Sequence, residues 1–377
     1  MPARCRSAKG RALPRRHAGE ELLSNISGAG RPVLRVFLKD VAVCAVLLTG
    51  ILFATAFAAS GYHLLRKITI DGDGFWDYLI ADGASGRVYV SHGTEVDVVD
   101  IKSGEVIGKI TDLHGVHGIA LATEFGRGFI SNGQSGGVTI FDLKSLKKIG
   151  ADVPAGKNPD AIIYDPASKR VFAFNGRSSD ATAIDAESGK AAGTVTLEGK
   201  PEFAAADGAG HVYVNIEDKS MIFDIDSQKL TVVHKWSIAP CEEPSGMAMD
   251  TRHRRIFSGC GNKMMAVTDA DSGKVIATPA IGDGVDATAF DPGEQIVFNS
   301  CGEGTLSVIH EDSPTKFTLI ENAKTQTGAR TMALDTKTHH VYLSVADFEP
   351  APAPAAGQPR PRRKVVPGTF GILEFAR

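Results

Sequence analysis

Residues Asn158–Gly189 read NPDAIIYDPASKRVFAFNGRSSDATAIDAESG, and this stretch decides the fold. Ala161–Tyr164 is a short apolar run, and Asp165-Pro166 opens a turn. Val171–Phe174 is β-branched and aromatic, Asn175-Gly176 turns again, and Ala181–Asp185 is closed by Glu187-Ser188-Gly189. Short runs of such residues bounded by turn chemistry read as strands, so one copy holds three of them. The same grammar recurs when the chain is anchored at the end of each first strand, on Asp82, Thr123, Asp165, Asp207, Asp250, Asp291 and Asp335. The successive steps are 41, 42, 42, 43, 41 and 44 residues. Second strands follow from Arg87, Arg127, Arg170, His211, Arg255, Gln295 and His340, and third strands end at acidic turns such as VVDIKSG, AIDAESG and VTDADSG. A fixed period of roughly 40–45 residues with four strands per unit is the pattern of a β-propeller blade, repeated seven times. The fold class is therefore all-β, a seven-bladed β-propeller.

The repeat resembles the YVTN-type, YncE-like β-propeller family, in which a strand, a P-D-G-like turn, a V-Y-V-like strand and a V-x-V-I-D-like strand follow one another. VYVSH at Val88–His92, GFISN at Gly128–Asn132 and VYVNI at Val212–Ile216 are the nearest forms of its motif. The resemblance runs from about Tyr62 to Arg377. It implies the fold, and it leaves function to whatever site the blades carry. Seven-bladed lactonases look similar at the level of the repeat and use acidic, His and Arg residues at the mouth of the channel. Quinone-cofactor dehydrogenases are also built on propellers, but here there is no adjacent-Cys pair, and the chain has only Trp76 and Trp236. No cofactor is expected.

Outward from the repeats, Met1–Pro32 is rich in Arg, Gly, Ala and Ser and has no periodicity, which reads as disorder or as a mis-assigned start with translation beginning near Val33. Val41–Ala58 is uncharged, follows Arg35 and Lys39, and ends in the A-x-A site Ala56-Phe57-Ala58. Residues 33–58 therefore read as a secretory signal, with an uncleaved anchor as the alternative. Cleavage implies a periplasmic or secreted protein of residues 59–377, and the membrane is a partner only if the segment stays. Tyr62–Ile70 would be an orphan strand ahead of blade one, whereas Thr369–Phe375 is a third strand with nothing after it. Joined, they complete blade seven and leave the ring no open edge, so that the N-terminal strand closes the last blade.

With 43% hydrophobic and 23% charged residues and 41 glycines, the chain is a globular domain rich in turns. Its formal net charge of −3, with much of the positive charge in the N-terminus, argues against nucleic acid as a partner. The one basic run, Arg360–Lys364, lies in the Ala/Pro-rich insertion Phe348–Pro367 of blade seven. Of five cysteines, Cys241, Cys260 and Cys301 lie in the propeller. Cys241 precedes the first strand of blade five and Cys260 ends its second, so antiparallel pairing allows a disulfide between them. Free thiols, a Cys260–Cys301 link or a metal site are the alternatives. His114 and His117, in LHGVHG, could share a metal. The motifs H-E-x-x-H and G-x-x-x-x-G-K-S/T do not occur.

First strands line the channel of a propeller, so equivalent positions at their starts form a ring at one mouth. Five residues before each anchor stand Asp77, Gly118, Asp160, Glu202, Ser245, Asp286 and Arg330, with Trp76, His117 and Glu243 nearby. Converging carboxylates could bind a ligand, shift one another's pKa values or coordinate a hard cation. Start-of-strand turn chemistry is the plain alternative. The sequence thus points to a monomeric binding or scaffold protein whose small-molecule or protein partner sits at the mouth formed by Trp76, Asp77, His117, Asp160, Glu202, Asp286 and Arg330. A lactonase-like hydrolase at the same mouth is the second reading.

Overall fold

A computed structural model describes residues 61–72, 75–350 and 364–377. The signal-like Val41–Ala58, everything before it, and residues 351–363 of the insertion lie outside the described residues. The chain forms seven antiparallel sheets of four strands each. The first strand of each sheet touches the first strands of both neighbours; Trp76–Asp82, for instance, meets Val116–Ala122 on one side and Met332–Asp335 on the other, and the ring closes. The protein is a seven-bladed β-propeller.

Second and third strands are buried nearly throughout, as in Arg170–Asn175 and Asp180–Asp185, because each blade is covered on both faces by its neighbours. Fourth strands such as Lys190–Thr196 are largely exposed at the rim. This burial explains why Val, Ile, Phe and Tyr fill the middle of each repeat, since each such side chain contributes about 1.5–3 kcal/mol on leaving water. The repeated acids cap turns. Asp82 Oδ2 accepts from Ser85 Oγ at 2.6 Å, Asp165 Oδ2 from Ser168 Oγ at 2.7 Å, and Asp100 Oδ1 from the Ser103 N–H at 2.7 Å. Arginines that open second strands tie each blade to the next: Arg87 donates to the Leu143 carbonyl at 2.8 Å, Arg127 to that of Ala186 at 3.2 Å, and Arg170 to that of Ser227 at 2.6 Å.

Blade seven is completed from both ends of the described propeller. His63–Thr69 pairs antiparallel with Gly371–Ala376, which in turn pairs with His340–Val345. The closure is fastened beyond the ladder. Tyr62 packs edge-on against Phe298 with ring centroids 5.0 Å apart, and its N–H donates to Glu321 Oε1 at 2.7 Å. Cys241 and Cys260 are joined in a disulfide, whereas Cys301 is a buried free thiol whose burial pushes its pKa up to about 11.

Candidate functional site

Six of the seven ring positions do not precede the first strands but lie inside them; Arg330 stands just before Met332–Asp335. Asp77, Asp160 and Glu202 are each the second residue of their strands, Trp76–Asp82, Pro159–Asp165 and Pro201–Ala206. Pairing with the second strand slips there: Trp76 pairs with His92 but the next partners are Leu79 and Val90, and the same irregularity recurs in blades two to six. The slip is a β-bulge, which lifts residues out of the ladder and re-aims their side chains, here toward the axis.

A bulge leaves backbone groups without ladder partners, and buried ones must find others. Second strands supply them. Ser131 Oγ accepts from the Gly118 N–H at 2.8 Å and donates to the Asp160 carbonyl of the next blade at 2.5 Å. Ser91 Oγ accepts from the Asp77 N–H at 2.9 Å, Ser344 Oγ donates to the Asp77 carbonyl at 3.3 Å, and Asn215 Nδ2 donates to the Ser245 carbonyl at 2.9 Å. Ser300 makes the corresponding bond to the Arg330 carbonyl. Sequence reading missed these residues, although a Ser or Asn next to the last residue of an apolar second strand, in five of seven blades, was available as a signal.

The ring side chains meet in three groups. His117 Nδ1 lies 2.6 Å from Asp77 Oδ2 and 3.5 Å from Asp160 Oδ1. His117 enters the ring because the formal position beside it is Gly118, where a Cβ would stand 2.9 Å from Ile162 Cγ2 and 3.0 Å from the Asp160 carbonyl. Lys200 Nζ lies 2.7 Å from Glu202 Oε1 and also meets Glu217. Arg330 Nε lies 3.1 Å from Asp286 Oδ2, while Ser245 Oγ donates to Asp286 Oδ1 at 3.1 Å and Tyr78 reaches the same carboxylate across the ring. His114 is exposed and takes no part; the histidine that could hold a metal here, His117, does so with Asp77 and Asp160, each offering one ligand atom within 4.8 Å of the others.

Electrostatics follow from burial. Burial lifts Glu202 to about 7 against the opposing pull of Lys200, and it raises Asp160 and Asp286 against His117 and Arg330 respectively. Burial opposes protonation of His117, but the Asp77 hydrogen bond and the surrounding carboxylates outweigh it and raise its pKa. Below the ring Tyr78 and Phe203 face each other with centroids 4.2 Å apart, so the mouth has an aromatic floor and is a cup. One wall is aromatic too: Trp76 packs on Phe370 at 5.2 Å and on Phe348 at 5.6 Å, and Phe75 is 56% exposed beside it. Trp76, Asp77, His117, Arg330 and Phe348 line a cavity of about 500 Å³ at this rim. The described ends of the Phe348–Pro367 insertion form a short stem, with the Glu349 N–H bonded to the Lys364 carbonyl and the Val366 N–H to that of Asp347, both at 2.8 Å. The stem rises next to Trp76.

Comparison with known proteins agrees with the architecture. The chain is similar in structure to U3-55K, with a TM-score of 0.69 at 8% identity, covering 84% of this chain and 98% of that one. It is similar to the RRP9 WD40 repeats, with a TM-score of 0.68 at 7% identity over 85% and 98% of the two chains. It is also similar to Kuenenia stuttgartiensis hydrazine synthase, with a TM-score of 0.64 at 14% identity over 75% and 96%. Likeness at these identities is likeness of fold, the WD40-like seven-bladed propeller. No protein-family model matches the sequence, and no curated protein matches it.

Proposed function

We propose that this chain is an exported propeller of the YVTN type that binds a small polar ligand, or a side chain of a protein partner, in the cup at the channel mouth. The observation that carries the reading is the convergence of three opposite-charge pairs, His117 with Asp77, Lys200 with Glu202, and Arg330 with Asp286, above the Tyr78–Phe203 contact. Packing does not require such pairs, because the bulges are held by main-chain bonds to Ser and Asn. Paired donors and acceptors around a cavity beside Trp76 suit a ligand with hydrogen-bonding groups and a flat apolar part that stacks on the indole. Export is supported by the signal-like Val41–Ala58 and by the Cys241–Cys260 disulfide, which persists in oxidising compartments.

A proportion of Trp76 fluorescence should be quenched by the ligand in a metabolite screen. Glu202→Ala and Arg330→Ala should abolish that quenching without unfolding the protein; quenching unchanged in both variants would place binding elsewhere. The second reading is a lactonase-like hydrolase at the same cup. Its support is Glu202, whose pKa of about 7 suits a general base near neutral pH. Lactone hydrolysis lost in Glu202→Gln would select it.

A further inference from the structure

On the opposite face, between blades five and six, Asp250 ends a first strand, His253 lies in the turn after it, and Glu311 follows the third strand's last paired apolar residues. The position of Glu311 is defined in blades one to six by a backbone N–H bonded to the turn between first and second strands. Its counterparts are Ile101, Leu143, Ala186, Ser227 and Ala270. Blade six alone among these six puts a carboxylate there. Glu311 is 1% exposed, and neither of its side-chain oxygens accepts a hydrogen bond. Burying a carboxylate without partners costs several kcal/mol, so the fold gains nothing from the exchange of an apolar or small residue for Glu. Its polar neighbours are another acid and an imidazole. Asp250 Oδ2, His253 Nδ1 and a Glu311 oxygen lie within 4.8 Å of one another. The nearby cation, Arg255, is already committed to Asp269 and the Pro314 carbonyl, both at 2.6 Å.

We propose that Asp250, His253 and Glu311 form a divalent-cation site, with zinc as its first-choice occupant. Two carboxylates and one imidazole are a donor set that zinc accepts, and the partly exposed His253 is the side of the cluster nearest solvent. A tetrahedral zinc with bonds of about 2 Å separates its donors by roughly 3.3 Å. His253 Nδ1 and Glu311 Oε1 already stand 3.5 Å apart, and the 2.5 Å approach of His253 to Asp250 must open. Protons compete with the ion for these donor atoms, so uptake weakens as pH falls. The ion would pin blade five to blade six on the face opposite the cup.

The test is metal analysis and thermal melting of the purified propeller, stripped with chelator and titrated with Zn²⁺ and then Mn²⁺. Wild type should retain about one zinc per chain after dialysis and show a saturable rise in melting temperature, as ligand linkage requires. Glu311→Gln keeps the shape of the protonated acid and should fold, yet lose both effects; Asp250→Asn should behave likewise. His234→Ala serves as the control for adventitious uptake, because His211 and His234 flank Asp224 at 2.8 and 3.0 Å on the blade-four rim. If zinc uptake survives Glu311→Gln and Asp250→Asn but is lost in His234→Ala or in Asp77→Asn, the ion belongs to the rim or the cup and the proposal fails. If wild type takes up no zinc or manganese and Glu311→Gln melts higher than wild type, Glu311 is simply a buried protonated acid, and the proposal also fails.

Discussion

The N-terminal strand carries a cost that can be worked from its contacts. Ile70, just past the strand His63–Thr69, is fully buried among Leu79, Val88, Tyr342 and Phe370, where the closing strand of blade seven meets blade one, whereas Leu64 within that strand is 48% exposed. Truncating a fully buried isoleucine to alanine costs about 2–5 kcal/mol, through lost transfer energy and the cavity left behind. A surface truncation costs about 0.5 kcal/mol or less. Against a total stability on the order of 5–15 kcal/mol, Ile70→Ala should lower the denaturation midpoint clearly in guanidinium titrations followed by circular dichroism, and Leu64→Ala should barely move it. Deleting Tyr62–Ile70 removes the buried side chains of Tyr62, Ile68 and Ile70 together, worth roughly 5–8 kcal/mol, and bares the edge of Gly371–Ala376 to pairing with other chains. The deletion should aggregate at temperatures where wild type is monodisperse. A deletion variant that unfolds at the wild-type midpoint, or an Ile70→Ala variant indistinguishable from Leu64→Ala, would refute the closure argument.

Further outcomes follow from other contacts. Replacing both Cys241 and Cys260 by serine opens a link with a sequence separation of 19 and should cost about 3 kcal/mol by chain entropy, read as a lower melting temperature that reductant no longer changes. Cys301 should resist alkylation until the protein unfolds, because it is buried and its thiol is shifted to about 11. Ser131→Ala removes the donor to the Asp160 carbonyl and should cost about 1–3 kcal/mol in the same titration, whereas Ser135→Ala in the neighbouring turn should not. For pH, Glu202 binds its proton more tightly folded than unfolded, so its contribution to stability is greatest below about 4.5 and is lost as pH rises toward 7. Glu202→Gln should therefore gain stability over wild type at pH 8, on the order of 2 kcal/mol, and gain nothing at pH 4; equal gains at both would show that burial does not perturb this carboxyl.

The repeat was legible because its signals are local: Asp165-Pro166 and Asn175-Gly176 mark turns whatever surrounds them, and Val171–Phe174 between them has little choice but a strand. The closure was legible because Tyr62–Ile70 had no partner near it in sequence. What lay beyond reach depends on blades meeting in space. Nothing near Arg330 in the sequence announces that its guanidinium meets Asp286 of the preceding blade, and the approach of Tyr78 to Phe203 and Asp286 joins blade one to blades four and six across the axis. The offset of five residues from each anchor found the ring positions but not the reason for them, since a bulge is a property of register between two strands and not of either strand alone. His114 was paired with His117 by proximity in sequence. The strand beginning at Val116 instead leaves His114 exposed outside the cup and carries His117 into it.

The bulge also explains how one backbone position can hold Asp, Gly, Asp, Glu, Ser and Asp in six otherwise similar blades. Had the ring side chains themselves satisfied the backbone, exchanging one for another would have left a buried carbonyl or N–H unpaired at a cost of about 1–3 kcal/mol, and the repeats would have been held to one residue type. Here that work falls mainly to Ser91, Ser131, Asn215, Ser300 and Ser344 on the second strands, which bond the main chain at the ring positions and are indifferent to the side chain carried there; at Asp286 alone among them the ring residue Ser245 donates to the carbonyl. Fold and site are thus separable at this position. It follows that replacing two ring residues whose side chains bond other side chains, while leaving the serines in place, for example Asp77→Ser together with Glu202→Gln, should preserve the melting temperature far better than any single serine-to-alanine change on the second strands, yet change what the cup binds, because Asp77→Ser strips His117 of its nearer carboxylate and Glu202→Gln removes the charge that faces Lys200. Differential scanning calorimetry and the Trp76 quenching assay on the same samples read the two effects apart. A double exchange that unfolds the ring as readily as Ser131→Ala would show that the side chains at the mouth hold the blades together and that the cup is structural.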